Sequence, residues 1–118
     1  MKRAIEATKQ EFESASYRTP EYLAWHRLFK RELTAFLKSL GCQEVQFSKP
    51  NHFDASGFFR TPNGQAWYFS LGDLRGFKND LLVRTAKDYR DFTGGMNQYV
   101  SLSSEATFAT EMRRILKV

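Results

Sequence analysis

The clearest pattern of apolar and polar positions lies between Thr19 and Gly41. Its apolar side chains recur every three or four residues: Tyr22, Trp25, Phe29, Leu33, Phe36 and Leu40. This spacing is typical of one face of an α-helix. Thr19 suits the N-cap, Pro20 the first helical position, and Gly41 the left-handed residue after the helix. The pattern therefore predicts a core-packing helix whose other face carries Arg27, Lys30, Arg31 and Lys38.

Beyond this helix the apolar residues recur at every second position, which is typical of β-strands. Val45 and Phe47 alternate with polar residues, and a second alternating segment spans 53–60. The tetrapeptide TPNG at 61–64 provides Pro, Asn and Gly for a hairpin turn. Residues 65–71 then return as the third strand.

The remaining chain predicts two more strands and two flanking helices. Residues 81–86 form an apolar, branched fourth strand, and 97–102 form a short fifth one. Ser103 or Ser104 is the expected N-cap of a last helix. Residues 1–14 have helix-forming composition and a thin apolar stripe, so they are either a loosely docked helix or an N-terminal arm.

This order of elements predicts an α+β fold: an antiparallel sheet of four to five strands with N-terminal helices and a C-terminal helix, in two layers. Its 118 residues correspond to a single domain, 1–118. Trp67, Tyr68 and Phe69 are consecutive, and they cannot all point to one face of a sheet. Either the second face is also covered, or it exposes aromatic surface.

The composition shows a net positive charge and argues against disulfide bonds and membrane-spanning segments. The net charge is +5 and the sequence pI is about 9.5, which favours polyanionic partners. Cys42 is the only cysteine, so no intrachain disulfide forms. The N-terminus is polar, and no apolar run approaches the ~20 residues of a membrane span. We expect a cytoplasmic protein in a bacterial host cell, without a membrane partner.

Catalytic and metal chemistry find little support in the sequence. One cysteine and two histidines do not form a structural zinc motif. The carboxylates Asp54, Asp73, Asp88 and Asp91 are scattered over strand ends and loops. We therefore expect no enzyme activity, no metal and no cofactor, with an enzyme built on His52 and the aspartates as a third hypothesis.

Basic and aromatic residues interleave in the second half of the chain. Guanidinium groups pair with phosphates, and aromatic rings stack on bases. The predicted partner-binding or nucleic-acid-binding residues are Arg60, Arg75, Lys78, Lys87, Tyr89 and Arg90. The alternative is a solvated charged face whose rings are anchored in the core.

Three segments resemble a family of small uncharacterised proteins carried by bacterial phages and conjugative elements: NHFDASGFF (51–59), GQAWYFSLGDLR (64–75) and LLVRTAKDYRDFTGGMNQY (81–99). The matching residues are His52, Phe53, Trp67, Tyr68, Phe69, Asp73, Arg75, Arg84, Thr85, Ala86, Asp91, Thr93, Gly94, Gly95 and Asn97. The resemblance spans less than half of the chain and excludes the helices. It implies no established activity but a setting on mobile DNA, where replication, transfer and counter-defence proteins occur, anti-CRISPR proteins among them.

Arg84 lies in the middle of an apolar strand and requires a partner, which Asp73 or Asp91 can supply. We expect a structural motif that holds the two neighbouring loops against the sheet: Asp73, Arg84, Asp91, Gly94, Gly95 and Asn97. The exposed Lys87, Tyr89 and Arg90 would then meet the partner.

The leading hypothesis is a non-enzymatic mobile-element protein that binds a nucleoprotein complex and inhibits a host defence nuclease, as anti-CRISPR proteins do. The inhibition would be steric. The alternative is a stand-alone accessory protein that binds DNA or RNA directly.

Overall fold

A computed structural model describes residues 1–8, 19–48, 55–71 and 80–118. Its elements, in chain order, are α1 Lys2–Thr8, α2 Pro20–Ser39, β1 Gln43–Phe47, β2 Ala55–Arg60, β3 Ala66–Leu71, β4 Asp80–Ala86, β5 Gln98–Ser101 and α3 Glu105–Leu116. The strands pair antiparallel in one five-stranded sheet, in the order β1-β2-β3-β4-β5. The predicted α+β fold is confirmed. None of the helices in these ranges is long and apolar enough to cross a bilayer.

Helix α2 begins and ends where its capping residues predict. The Thr19 hydroxyl accepts a hydrogen bond from the Tyr22 amide at 3.2 Å, and Gly41 has a φ of 85° just beyond the helix. Phe29, Leu33 and Leu37 are fully buried on the inner face. Burial of such side chains contributes about 1.5–3 kcal/mol each, so α2 is a main support of the core.

Helix α1 is docked on α2 in the described range 2–8. The Ala4 amide donates to Oε1 of Glu32 at 2.7 Å, and Nε1 of Trp25 donates to the Thr8 hydroxyl at 2.9 Å. Ile5 is buried between the helices and the core. The helical alternative for the N-terminus therefore holds over 2–8, and the rest of the predicted segment lies outside the described residues.

One face of the sheet packs against the helices. Cross-strand register aligns Phe59 with Trp67 and Phe69 with Val83, and these side chains join the core formed with α2 and α3. The hairpin turn after β2 is closed by a bond from the Thr61 amide to the Gln65 carbonyl. The turn holds β2 and β3 in register across six residue pairs.

The opposite face of the sheet is covered over its central strands. Phe58 is 4% exposed and Tyr68 is 7% exposed, although both point away from the helices. They form a smaller cluster with Ala66 and Ala86, against which Tyr89 packs. Both possibilities left by the sequence are thus realised in part: the connection between β4 and β5 covers Phe58 and Tyr68, whereas Tyr99 on β5 is 41% exposed on the same face.

Candidate partner-binding surface

Residues 87–97 connect β4 to β5 and fold over the outer face of the sheet; we call this segment the β4–β5 loop. The Tyr89 ring stacks on Phe58 with the ring centroids 5.3 Å apart and 15° between the planes. The Tyr89 hydroxyl donates to the Glu44 carbonyl at 2.7 Å. The loop therefore reaches from β4 across the sheet to β1.

Arg84 fixes the end of this loop. Its side chain is 4% exposed, and its guanidinium carbon lies 4.4 Å from the centroid of the Tyr68 ring. The guanidinium donates to the carbonyl oxygens of Gly94 at 2.9 Å and of Asp91 at 3.1 Å. A charged donor on a carbonyl contributes about 1.5–3 kcal/mol, more than a neutral hydrogen bond. Asp91 thus partners Arg84 through its backbone, whereas Asp73 lies outside the described residues.

The Asp91 carboxylate organises the backbone of the loop instead of pairing with Arg84. It accepts hydrogen bonds from the amides of Lys87 at 2.9 Å and Thr93 at 3.0 Å. These two bonds, together with one from the Gly94 amide and the nearby charge of Arg84, hold the pKa of Asp91 below its usual range. The carboxylate is a local cap for a turn that has no regular secondary structure.

The two glycines allow the loop to return close to β4. A Cβ atom at Gly94 would collide with the Asp91 carboxylate. Gly95 has a φ of 68°, and a Cβ there would lie 2.5 Å from the Thr85 carbonyl oxygen. Both positions therefore require glycine for geometry. Asn97 is exposed directly before β5.

Arg60 and Tyr89 support each other at the other end of the loop. The Arg60 Nε lies 3.1 Å from Oε2 of Glu44, and Nη1 donates to the Gly64 carbonyl at 2.9 Å. The Arg60 guanidinium carbon lies 5.2 Å from the Tyr89 ring centroid. Burial, followed by the charge of Glu44, raises the pKa of Tyr89. Both predicted binding residues are thus engaged within the protein, and both are half-buried.

The exposed apolar part of the surface is carried by two residues outside the predicted binding set. Phe92 is 62% exposed and Met96 is 79% exposed, both on the β4–β5 loop. The predicted residues Lys87 and Arg90 are exposed on the same loop. A shallow groove of about 560 Å³ runs along one side of the loop and is lined by Arg60, Gln65, Thr85, Lys87, Asp91 and Gly95.

The predicted surface is thus only partly assembled here. Lys87, Tyr89 and Arg90 lie on one loop and Arg60 borders it, whereas Arg75 and Lys78 lie outside the described residues. The expected rings on the sheet are buried beneath the loop, because Tyr89 and Phe92 cover Phe58. In the sequence, Phe92 is one of the aromatic residues that alternate with cations, whereas the one signal for Met96 is its position directly after a double glycine.

The described ranges contain little that resembles a catalytic centre. Within them, no three His, Cys, Asp or Glu side chains are grouped so as to hold a metal ion. Cys42 is buried, and desolvation raises the pKa of its thiol, which disfavours the reactive thiolate. Burial, and then the charge of Lys30, lowers the pKa of His26. His52 lies outside the described residues.

Fold and surface together define a small α+β domain that displays a clamped loop on the outer face of its sheet. Comparisons with protein-family models, curated proteins and solved structures returned no match. The resemblance to phage and conjugative-element proteins stays a prediction.

The capping role of Asp91 predicts a specific acid titration. Because the folded pKa is depressed, the contribution of Asp91 to stability is present above its unfolded pKa of about 3.9 and is lost as the pH falls through the lower folded value. In an NMR titration, we expect the Thr93 and Lys87 amide resonances to shift with a common midpoint below pH ~3.9. A midpoint at or above that value would show that the carboxylate does not cap the loop.

Proposed function

We propose that this protein is a non-enzymatic binding protein whose β4–β5 loop docks on the protein component of a bacterial nucleoprotein complex. The observation that carries this proposal is the exposure of Phe92 and Met96, at 62% and 79%, on a loop tied down by Arg84 and Asp91. Exposed apolar surface with polar residues around it is typical of protein-interaction sites.

The physical argument is that this loop is held in one conformation before binding. Two backbone carbonyls are fixed by Arg84, and two amides are fixed by the Asp91 carboxylate. Association therefore orders few additional degrees of freedom, which leaves more of the contact energy for affinity. Phe, Met and Arg are also enriched in protein–protein interfaces, whereas Lys is depleted.

A nucleoprotein partner is favoured over a simple protein because of charge. Lys87 and Arg90 are exposed on the same loop as the apolar pair, and the chain carries a net charge of +5. The resemblance to mobile-element proteins adds a setting in which the partner is a host defence nuclease of the CRISPR type. Docking would inhibit such a nuclease sterically, by occupying a surface needed for its guide, target or cofactor.

The second candidate function is direct binding of DNA or RNA by the loop. It is favoured by the exposed Phe92 ring on the same loop as the exposed cations Lys87 and Arg90, because base stacking needs a ring and phosphate pairing needs cations. The two functions predict different results after nuclease treatment: a protein partner is still captured, whereas a nucleic-acid partner is lost. They also differ in the salt dependence of the affinity, because binding to bare nucleic acid weakens steeply with salt.

The test compares the wild-type chain with a Phe92→Ser/Met96→Ser variant. Both are immobilised and exposed to bacterial lysate, half of it treated with nuclease, and each captured protein is then purified and titrated. We expect a ribonucleoprotein nuclease whose affinity falls about 30-fold or more in the variant, as for loss of a hot spot of about 2 kcal/mol. Its cleavage of target DNA should stop when wild-type protein is added and continue with the variant.

A charge-only variant, Lys87→Gln/Arg90→Gln, serves as the matched control on the same loop. It should slow association and change its salt dependence more than it changes dissociation. Equal capture of every protein by the wild type and the Phe92→Ser/Met96→Ser variant would refute docking through the loop. Capture that depends only on nucleic acid would favour the second function.

A further inference from the structure

We propose that the outer face of α2 is a binding surface for the phosphate backbone of double-stranded nucleic acid. Its cations are Arg27, Lys30, Arg31 and Lys38, which we call the α2 basic stripe. All of them are exposed. The inference goes beyond the proposed function and does not depend on it, because the stripe and the β4–β5 loop lie on opposite sides of the sheet.

Helical geometry places most of the stripe on one side of α2. At about 100° per residue, Arg27, Arg31 and Lys38 lie within about 40° of one another, on the side away from Phe29 and Leu33, and Lys30 lies at the edge of this face. At 1.5 Å per residue the stripe is about 17 Å long. A duplex presents about one negative charge per 1.7 Å of axis, so several phosphates lie within reach of this length.

The stripe has no acidic partner among the described residues. Their ion pairs join the N-terminal amine to Glu32 and Arg60 to Glu44. Glu32, on the same helix, is turned towards α1, where it accepts from the Ala4 amide. Four cations are therefore held on a rigid helix with no carboxylate in the described ranges within ion-pair distance, an arrangement that attracts an external polyanion.

Two shallow grooves meet at Arg27 and Arg31. One groove, of about 430 Å³, runs along α2 and is lined by Arg27, Lys30, Arg31, Thr34, Ala35 and Lys38. The other, of about 380 Å³, lies between α1 and α2 and is also bordered by Arg3 and by Glu21 at the start of α2. The basic surface thus continues from α2 onto α1, and among the described residues that line the two grooves Glu21 is the one carboxylate.

The chemistry of the stripe favours a duplex over a single strand. Thr34 and Ala35 lie between the cations, and neither offers a ring on which an unpaired base can stack. Within the described ranges, the one cation–π contact of the stripe is internal, with Nζ of Lys30 5.6 Å from the Phe47 ring centroid. Contacts from Arg and Lys to phosphates position a duplex without reading its sequence.

The stripe is separate from the loop surface because each packs on its own side of the sheet. Helix α2 contributes Phe29 and Leu33 to the main core with Phe59 and Phe69. The loop packs through Tyr89 onto Phe58 and Tyr68, which belong to the other cluster. One molecule can thus contact a protein with one side and a duplex with the other.

The test is fluorescence anisotropy of a 20-base-pair DNA duplex of random sequence, titrated with the full chain over a series of salt concentrations. Four phosphate contacts predict a slope of log K against log salt of about −3.6. Arg27→Gln/Arg31→Gln should reduce the slope by about 1.8 and weaken binding at least about tenfold at low salt. Arg113→Gln/Arg114→Gln, with the same change in net charge on exposed positions of α3, should leave the slope and the affinity almost unchanged.

The inference is overturned if the duplex does not bind, if the α2 and α3 variants weaken binding equally, or if only the α3 variant weakens it. It is also overturned if a 20-nucleotide single strand binds as tightly as the duplex. Circular dichroism and thermal unfolding verify that each variant is folded, since exposed substitutions change stability by only about 0.5 kcal/mol. If the duplex-binding test fails, the loop proposal still stands, because it is tested separately with the Phe92→Ser/Met96→Ser variant, which does not change the net charge.

Discussion

Replacing Phe69 with alanine is expected to lower the free energy of unfolding by about 3–5 kcal/mol. Phe69 is fully buried in the middle of β3, where its ring centroid lies 5.2 Å from that of Phe47 and 6.2 Å from that of Phe59. Truncation loses the transfer energy of the ring and leaves a cavity that the paired strands cannot close. The total free energy of unfolding of a native protein is only about 5–15 kcal/mol. The Phe69→Ala substitution is therefore expected to remove a large part of the stability.

Urea unfolding followed by circular dichroism measures this effect, and Phe92→Ala is the matched control. Phe92 undergoes the same chemical change, but it is 62% exposed and makes only edge contacts with Phe58 and Tyr68. We expect Phe92→Ala to lower the free energy of unfolding by less than about 1 kcal/mol. Equal losses for the two variants would mean that Phe92 is part of the core, which would remove the main support for a docking role.

The elements that the sequence predicted well are those in which local signals and the apolar pattern agree. Thr19 and Gly41 delimit α2, and the TPNG turn sets the β2–β3 register. Ser104 caps α3 by accepting from the Thr107 amide, so the second of the two predicted N-cap serines was the right one. Each of these signals acts within a few residues of its own position, which is why the sequence alone suffices.

The candidate surface was less predictable because it depends on contacts between segments far apart in the chain. Tyr89 was expected to face a partner, yet its ring stacks on Phe58 and its hydroxyl binds the carbonyl of Glu44. No local pattern reveals a side chain that bonds to a residue 45 positions away. The exposure of Phe92 follows from that packing, since the space above Phe58 is shared by both rings.

The hydrogen-bond acceptors of Arg84 were also difficult to predict from the sequence. The sequence indicated that a mid-strand arginine needs acceptors and placed them at Asp73 or Asp91. The acceptors within the described residues are the backbone carbonyls of Asp91 and Gly94. Any residue type carries a carbonyl, so residue identity gives no signal for this kind of acceptor. The sequence does show the glycine pair Gly94 and Gly95, which lets the backbone of the β4–β5 loop approach β4 closely.

Replacing Arg84 with methionine is therefore expected to release the β4–β5 loop. Met retains most of the buried volume and the contact with Tyr68, but it leaves the carbonyls of Gly94 and Asp91 without their charged donor. The loss of two charge-assisted hydrogen bonds is partly offset because no cation is buried any longer, so we expect a net cost of about 2 kcal/mol. The Thr93 and Lys87 amides, which depend on the same loop conformation, should exchange their hydrogens about tenfold faster or more.

Arg84→Lys separates charge from geometry in the same experiment. An ammonium group keeps the positive charge but lacks the planar fork that serves two carbonyls at once, so exchange should accelerate nearly as much as in Arg84→Met. Amide exchange in β2 and β3 should stay slow in both variants, because those strands pair with each other independently of the loop. Unchanged exchange at Thr93 in Arg84→Met would show that the loop is held by Tyr89 and Asp91 without the arginine. The preorganisation on which docking relies would then have to be assigned to those two side chains.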